Sequence, residues 1–284
     1  MYSTDFSYHR PGSVADALAL LRQYGEDARL LAGGHSLLPM MKLRLATPSH
    51  LVDIGRIAGL AGISASGGVI RIGALTRHAD LAASTVAGMP AVLTQAARVI
   101  GDVQVRNRGT IGGSLAHADP GADLPAAMLA LGAEVVAAGE RGERAIAADA
   151  FFTGAFATAL GRDEMVVAVR VPASPSDHRG GYEKYPDPAS SYAIVGAAVD
   201  LSVTGATITA ARVAATGLYA GRAMRLHTVE KALVGQPATV ATAKAAAAKA
   251  ADGLDLYDDT RATAAYKANL VRVYVARAIA KAIG

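Results

Sequence analysis

The sequence contains neither cysteine nor tryptophan among its 284 residues, and only 5% of its residues are aromatic. Without cysteine the chain has no disulfide, no thiolate nucleophile, no cysteine-ligated zinc and no iron–sulfur cluster of its own. Charged residues make up only 18%, whereas 52% are hydrophobic, which excludes a disordered or highly charged tail protein. We therefore expect a folded chain that buries a substantial core, as one large domain or two or three small ones.

Patterns typical of membrane and nucleic-acid proteins are also missing. No uncharged stretch reaches the roughly 18 residues that a membrane span needs. Residues 1–10 carry Asp5 and polar groups, which is unlike the basic start and apolar run of a signal peptide. The formal net charge is +4, but the basic residues are scattered among 24 acidic ones. We expect a cytoplasmic protein with no integral membrane segment and no nucleic-acid partner.

Capping and turn signals divide the chain into short helices and strands. Ser13 and Asp16 resemble a capping box before an amphipathic helix, for which Gly25 is a plausible end. Further helices are predicted at 90–100, 125–131, 238–251 and 266–283, and strands at 28–31, 51–54, 69–72, 133–138, 164–171, 193–203 and 207–215. The stretch 172–181 has the composition of a linker. The pattern predicts a mixed helix and strand body up to about residue 177 and a smaller α+β part after it.

Two glycine-centred segments are the main candidates for a ligand site. They are Ala32-Gly33-Gly34-His35-Ser36-Leu37, directly after a predicted strand, and Gly109-Thr110-Ile111-Gly112-Gly113-Ser114. Paired glycines let backbone N–H groups approach a ligand, and successive amides can form a concavity for an anion. Neither segment has the spacing of a Rossmann fingerprint or a P-loop. Each alone is also consistent with a tight turn, but the two together, flanked by hydroxyl groups, favour a dinucleotide.

Two carboxylates follow the second glycine segment. Asp119 and Asp123 lie in a stretch stiffened by prolines, and a carboxylate there can accept hydrogen bonds from sugar hydroxyls. Capping of a helix that begins near Pro125 is an alternative role for Asp123, and the two roles are compatible. The histidines lack metal-ligand spacing, and no serine has the G-x-S-x-G context of a nucleophile. We predict no metal ligand and no catalytic residue in this chain.

At these segments the sequence resembles the FAD-binding medium subunits of the molybdenum hydroxylases, which include aerobic carbon monoxide dehydrogenase and xanthine dehydrogenase. The resemblance is strongest at 31–45 (LAGGHSLLPMMKLRL) and at 108–125 (RGTIGGSLAHADPGADLP). It also includes FSYHRP at 6–11, YEK at 182–184 and the C-terminal stretch 266–280. Two motifs in this order make the match specific, and the nearest pattern is that of the carbon monoxide dehydrogenase type.

The resemblance implies an α+β fold with a two-part FAD-binding region of the PCMH type. This region would cover residues 1–177, with subdomains at about 1–55 and 56–177. A small α+β C-terminal domain, with a three-stranded sheet and helices, would cover 178–284. FAD would bind noncovalently between these parts.

The resemblance also implies roles for individual residues. Residues 32–37 would hold the pyrophosphate, and residues 110–114 would contact the cofactor with amides and hydroxyls. Asp123 would hydrogen-bond the cofactor, Val166 would pack on the adenine side, and Lys184 and Tyr192 would face the flavin, with Tyr192 against the isoalloxazine ring. The full set of expected cofactor-binding residues is Ala32, Gly33, Gly34, His35, Ser36, Leu37, Thr110, Ile111, Gly112, Gly113, Ser114, Asp119, Asp123, Val166, Lys184 and Tyr192.

The chain departs from the family pattern in two places. Many relatives have asparagine where this chain has Ser114, so a hydroxyl replaces an amide group there. Several relatives are basic in the segment 185–189, which reads YPDPA here. The second difference puts in doubt the family's contacts beside the flavin.

The implied role is electron transfer between subunits. A large subunit with a molybdenum cofactor would oxidise the substrate, and a small subunit with two [2Fe–2S] clusters would pass the electrons to FAD in this chain. FAD would then reduce an external acceptor. The lack of cysteine agrees, because this chain can hold neither cluster. The expected assembly is a dimer of heterotrimers, cytoplasmic and attached to a membrane only peripherally through its complex.

Other functions remain open at this point. One is a stand-alone FAD-dependent oxidase of the PCMH fold group, although the region after residue 177 is small for a substrate-binding domain. Another is a scaffold that has lost its cofactor. Within the family, the FAD subunit of an aldehyde, purine or N-heterocycle dehydrogenase is an alternative to the carbon monoxide type.

Overall fold

The computed structural model describes residues 2–175, 177–218 and 221–284. The helices are α1 (Val14–Tyr24), α2 (Leu37–Lys42), α3 (His78–Ala82), α4 (Ala91–Arg98), α5 (Val103–Arg106), α6 (Ile111–His117), α7 (Asp123–Leu131), α8 (Ala148–Phe151), α9 (His227–Leu233), α10 (Val240–Ala247) and α11 (Ala264–Ile283). The strands are β1 (Ser7–His9), β2 (Ala28–Leu31), β3 (His50–Asp53), β4 (Ile63–Ser66), β5 (Val69–Gly73), β6 (Glu134–Gly139), β7 (Gly142–Ala147), β8 (Phe152–Gly154), β9 (Ala157–Thr158), β10 (Met165–Pro172), β11 (His178–Pro186), β12 (Ala193–Thr204), β13 (Thr207–Gly217) and β14 (Met224–Arg225).

The first sheet is small and parallel, with the order β1-β3-β2. Helix α1 connects β1 to β2 and buries Ala17, Leu18 and Leu21 in a core that also contains Val52 of β3. Ser13 caps this helix as expected, because its hydroxyl accepts the N–H of Asp16 at 3.1 Å. Strand β2 runs directly into the first glycine segment.

The second sheet has five strands in the order β4-β5-β10-β6-β7, and all its pairs are antiparallel. Helices α4, α6 and α7 belong to its core. Every residue of α7 is buried, as the continuous apolar run from Leu124 to Leu131 requires. This helix also contacts β12 and β13, so it is shared with the third sheet.

The third sheet has the order β11-β12-β13-β14, with three long strands and the two-residue β14 at its edge. Helices α9, α10 and α11 cover one face, and α4 and α7 contact the other. Gly180 and Gly181 lie in β11, where a Cβ at Gly180 would come within 2.8 Å of the Val92 amide and one at Gly181 would collide with the Ala278 carbonyl. These glycines therefore allow close packing on both faces of the strand.

The α+β fold is confirmed, but the extent of the predicted linker is wrong. Half of the predicted linker 172–181 is strand, because β10 extends to Pro172 and β11 begins at His178. Only 173–177 connects them, and Ser176 in it lies outside the described residues. The second glycine pair is the first turn of α6 rather than a tight turn. In the described part of the chain, no helix is both long and apolar enough to cross a membrane.

Candidate functional site

A cavity of about 810 Å³ is the candidate site. Its walls come from α1 and the first sheet, from both glycine segments, from the chain around residues 156–166, and from the loop at 190–192 before β12. This volume lies within the range of roughly 300–1,000 Å³ that is typical of small-molecule and cofactor sites. Backbone and side-chain donors of several elements therefore face one space large enough for a nucleotide cofactor.

The first glycine segment presents a row of unused amides to this cavity. In the described chain, the N–H groups of residues 33–37 donate to no protein acceptor, and all five residues line the cavity. Gly34 has φ of 78°, a left-handed conformation that glycine adopts without strain and that turns the chain from β2 toward α2. Successive free amides in such a turn bind anions, and a diphosphate is an anion of suitable size.

The second glycine segment uses its amides internally. The N–H of Ile111 donates to the carbonyl of Thr76, that of Gly112 to Ala74, and that of Ser114 to Thr110. The Thr110 hydroxyl caps α6 by accepting the Gly113 N–H at 3.2 Å. The amides of residues 111–114 are therefore already bonded within the protein, and contact between this segment and a cofactor stays a prediction. Its Ser114 hydroxyl lines the cavity and remains available.

The close approach of neighbouring backbone explains why positions 33 and 112 are glycine. A Cβ at Gly33 would collide with the carbonyl oxygen of Arg108 and lie 2.9 Å from the Cα of Gly109, so glycine lets the two segments touch. A Cβ at Gly112 would lie 2.8 Å from the carbonyl oxygen of Ala74. Gly112 is thus needed to pack α6 against the end of β5, which is a structural rather than a ligand-binding reason.

Asp123 reaches the cavity from the first position of α7. It is 4% exposed, and its two oxygens accept the Tyr182 hydroxyl at 2.6 Å and the Lys184 ammonium at 2.9 Å. The alternative role of helix cap is wrong, because the cap position is Ala122 and no side chain caps this helix. Burial raises the pKa of Asp123, whereas the charge and hydrogen bond of Lys184 act in the opposite direction.

Asp119 is held beside the same wall by its own loop. Its carboxylate accepts the Gly121 N–H at 2.8 Å, and Ala118 before it has a left-handed φ of 50°. The third sheet docks on this loop through backbone bonds, since Ala193 donates to Gly121 at 3.0 Å. This docking brings Tyr192 to the cavity wall.

Tyr192 is carried by a tight loop at residues 187–191. The Asp187 carboxylate accepts the N–H groups of Ala189 at 2.8 Å and Ser190 at 3.0 Å, and it pairs with Arg261 at 3.2 Å. Burial raises the pKa of the Tyr192 hydroxyl, and the negative charge of Asp119 raises it further. Asp187, which lies between two prolines, therefore organises the loop.

The opposite part of the cavity wall is partly exposed. Val166 of β10 is buried there, and Phe156 lies at the rim with a left-handed φ of 53°. Glu26 and Arg162 also line the cavity and form an ion pair at 2.7 Å, which joins the first sheet's region to the chain before β10. Because both side chains are exposed, this pair contributes little to stability.

His78 is a lining residue that sequence reasoning did not include. It is 4% exposed, and its Nδ1 is buried without a hydrogen-bond partner in the described chain. Burial, with the nearby charge of His35, lowers the pKa of His78 to about 4, so its ring is neutral at neutral pH. The described residues include no group of three or more acidic or histidine side chains that could hold a metal ion.

All of the expected cofactor-binding residues line the cavity except Ile111 and Lys184. Ile111 is fully buried in the core of the second sheet, and Lys184 lies behind Asp123. Besides His78, the main omissions were Glu26, Arg29, Gly101, Phe156, Arg162, Ser190 and Ser191. Gly101 directly follows the helix predicted at 90–100, and neither this position nor the sequence around Arg162 carries a motif that indicates a site.

Two family models together match nearly the whole chain. The FAD binding domain in molybdopterin dehydrogenase matches residues 4–174, and the CO dehydrogenase flavoprotein C-terminal domain matches residues 180–282. The chain is 44% identical to the carbon monoxide dehydrogenase medium chain of Hydrogenophaga pseudoflava over 96% of each chain. It is 40% identical to the 6-hydroxypseudooxynicotine dehydrogenase complex subunit alpha of Paenarthrobacter nicotinovorans, over 100% of this chain and 96% of that one.

A solved structure agrees with these sequence matches. A chain of the carbon monoxide dehydrogenase from Hydrogenophaga pseudoflava, in a form that lacks the Mo-pyranopterin moiety of its molybdenum cofactor, superposes with a TM-score of 0.94. The match covers 99% of this chain and 98% of that one at 44% identity. At this coverage the similarity extends through the residues that both family models match.

Proposed function

The chain belongs to the FAD-binding subunits of the molybdopterin dehydrogenases, and on this basis we propose that it holds one noncovalent FAD in the cavity and relays electrons through it. In this proposal the electrons come from [2Fe–2S] clusters on a partner subunit and leave to an external acceptor. When bound, FAD supplies the ability to take up and release electrons in single steps.

The row of free amides is the observation that carries this proposal. A dinucleotide has an anionic diphosphate at its centre, and residues 33–37 offer five consecutive N–H groups at the cavity wall without a protein acceptor. These residues are half-buried or exposed at the cavity wall, so their N–H groups, which have no protein acceptor, are available to donate to a bound anion. The Ser114 hydroxyl adds a donor from the facing segment.

We assign the remaining expected residues by the side of the cavity they line. Val166 offers an apolar wall for the adenine, and Tyr192 offers a ring that can lie against the isoalloxazine. Asp119 and Asp123 offer carboxylates for cofactor hydroxyl or N–H groups. We assign residues 1–177 to the FAD-binding region, with subdomains at about 1–55 and 56–177, and residues 178–284 to the C-terminal domain.

The partners in this proposal are a large subunit with a molybdenum cofactor and a small iron–sulfur subunit, as a dimer of heterotrimers. Several exposed apolar side chains support a protein partner at the cavity rim, and we name them the rim patch: Leu38, Leu43, Leu45, Val99 and Val103. Their two segments meet beside the cavity, because the His35 ring contacts the carbonyl of Gln104 at 3.3 Å.

Charge indicates the chemistry of the partner's surface. The segment 32–50 carries Lys42 and Arg44 but no acidic residue, and both cations are exposed beside the leucines of the rim patch. A partner surface that is apolar, with acidic residues at its edge, would complement the rim patch and these two cations. We propose that the iron–sulfur subunit docks here, since an electron carrier must come close to the cavity to reduce its occupant.

Relatives of this chain serve complexes named for different substrates, among them carbon monoxide and 6-hydroxypseudooxynicotine. The substrate pocket of this complex would lie on another chain. We propose carbon monoxide for the whole complex, because two medium chains named for it match at 44% and 41% identity.

The test is to purify the full-length chain with the proteins that accompany it in its native host. We expect a flavin absorption spectrum with about one FAD per chain, all of which passes an ultrafilter after denaturation. Flavin that stays attached to the denatured chain would instead identify a covalent flavin oxidase. An assembled but colourless protein would overturn the proposal and favour a scaffold without a cofactor.

A further inference from the structure

Lys184 is a buried cation of β11 whose two partners lie at the ends of two different helices. It projects from β11, its side chain is 4% exposed, and its ammonium donates to the Asp123 carboxylate and to the Val99 carbonyl, both at 2.9 Å. Asp123 begins α7, and Val99 follows the last residue of α4. One side chain of the third sheet therefore holds the adjoining ends of two helices in the second sheet's core.

Both helix ends lead to the cavity, but Lys184 itself does not. Asp123 lines the cavity, and so do Ile100 and Gly101, which directly follow the carbonyl that Lys184 binds. Lys184 is not among the lining residues, so its ammonium lies behind the carboxylate as seen from the cavity. This differs from the family-based expectation that Lys184 faces the flavin.

A glycine on the neighbouring strand leaves space for a third member of this network, Tyr182. Tyr182 donates to the other oxygen of Asp123 at 2.6 Å, and a Cβ at Gly196 on the neighbouring strand would collide with this hydroxyl. Glycine at position 196 therefore leaves space for Tyr182. With one donor on each oxygen, the carboxylate is fixed in orientation, and each oxygen keeps a lone pair for a further donor.

On these observations we propose that Lys184 is a positioning residue for the cofactor, which keeps the Asp123 carboxylate ionised and aimed into the cavity. The proposal rests on the proposed FAD function. In this proposal Asp123 contacts a hydroxyl or N–H group of the cofactor. Lys184 supplies the positive charge that keeps Asp123 ionised, and therefore able to accept this hydrogen bond, at neutral pH.

The electrostatics of the surroundings agree with this assignment. Without Lys184 the buried Asp123 carboxylate would keep only the neutral Tyr182 hydroxyl as a donor. Burial would then favour the protonated form of Asp123, because the positive charge that opposes this effect would be gone. Asp119 and Tyr192 line the same wall, and the charge of Asp123 is one cause of the raised pKa of Tyr192. Neither group can replace the positive charge of Lys184, because one is an acid and the other is a neutral phenol.

The test measures FAD affinity of the full-length protein, in its assembled complex, by fluorescence titration from about pH 6 to about pH 9. In the unmodified protein we expect affinity that changes little over this range. In Lys184→Met we expect affinity at least tenfold lower at the acidic end, with recovery as the pH rises and Asp123 ionises. Asp123→Asn should bind weakly at every pH, and the double variant should be no weaker than Asp123→Asn alone, since Lys184 acts through this carboxylate.

Lys267 provides a matched control for the loss of a buried lysine. It is fully buried, pairs with Asp259 at 3.0 Å and donates to the Tyr257 carbonyl at 2.7 Å, and it does not line the cavity. Lys267→Met should lower thermal stability without a pH-dependent change in FAD affinity. A Lys184→Met profile that parallels that of Lys267→Met, or additive effects of the Lys184 and Asp123 variants, would overturn the proposal. Failure of the unmodified complex to bind FAD would instead contradict the proposed function itself.

Discussion

The backbone carbonyl of Arg108 occupies the space that a side chain at Gly33 would need. A Cβ at position 33 would lie 2.8 Å from the carbonyl carbon of Arg108 and 2.9 Å from the Cα of Gly109. The two glycine segments, far apart in the sequence, therefore touch through their main chains. Gly33 and Gly109 both line the cavity, so this contact is part of the wall at which the free amides of residues 33–37 lie.

Gly33→Ala should separate the two segments and disrupt FAD binding. The obstructing atoms are backbone, so they cannot rotate away, and we expect a loss of about 1–3 kcal/mol of stability with a fall in FAD affinity of at least about tenfold. Thermal unfolding and flavin titration measure the two effects. Gly12→Ala is the control, because a Cβ at Gly12 meets nothing within 4 Å. Equal behaviour of the two variants would contradict the close contact.

His78 should make the folded chain sensitive to acid. Its pKa is lowered to about 4, mainly by burial, so the unfolded chain binds a proton more readily than the folded one as the pH falls below the ordinary value of 6.5. The resulting loss of stability develops between about pH 6.5 and pH 4 and amounts to about 3 kcal/mol. His78→Gln should remove this part of the slope in denaturant unfolding measured over that range. An unchanged slope in the variant would show that His78 does not titrate as described.

Asp187 should control the position of Tyr192. Loss of its carboxylate in Asp187→Ala removes the acceptor for two loop amides and the partner of Arg261, so the loop that carries Tyr192 loosens. We expect a several-fold weaker FAD affinity, about 1 kcal/mol in binding, with little change in melting temperature because the loop is exposed. Flavin titration with a thermal melt separates the two effects.

Asp258 offers the control for this loop. Its carboxylate also accepts a backbone N–H, that of Ala264 at 2.7 Å, but no residue of the segment 258–264 lines the cavity. Asp258→Ala should leave FAD affinity unchanged. If it weakens binding as much as Asp187→Ala does, the effect of Asp187 is a general loss of stability.

The rim patch should be necessary for assembly. Leu43→Glu and Leu45→Glu place charges on side chains that are 57% and 72% exposed, so the isolated fold should tolerate them. If these leucines lie in a desolvated interface, each substitution should weaken the association of this chain with its partner by at least about tenfold. Co-purification of the tagged chain with its partners measures this loss. Val234→Glu and Val240→Glu are the controls, since these valines are exposed outside the rim patch. Normal assembly of the leucine variants would place the interface elsewhere.

Local patterns predicted much of the regular structure. The cap at Ser13, the strands at 28–31 and 207–215, and the long C-terminal helix follow from hydrophobic periodicity and turn chemistry. The strand β11 was missed because Gly180 and Gly181 read as a linker. Their real role is to let α4 and α11 pack against the two faces of the strand, and such a tertiary reason leaves no local signal.

The candidate site was predictable to a similar extent. Both glycine segments and Asp123 were found from local patterns and Tyr192 from the family resemblance, and all of these residues except Ile111 line one cavity. The sequence could not tell which amides are free, because Ile111, Gly112 and Ser114 donate to carbonyls within their own surroundings. Nor could it place Lys184 behind Asp123, since this depends on how β11 docks on α4 and α7.

The most direct test of the central claim is an experimental structure of the assembled protein with FAD. We expect the diphosphate oxygens within about 3 Å of the amides of residues 33–37, with the flavin on the side of Tyr192 and the adenine on the side of Val166. Density for FAD outside this cavity, or amides 33–37 that remain without an acceptor in the loaded protein, would contradict the account.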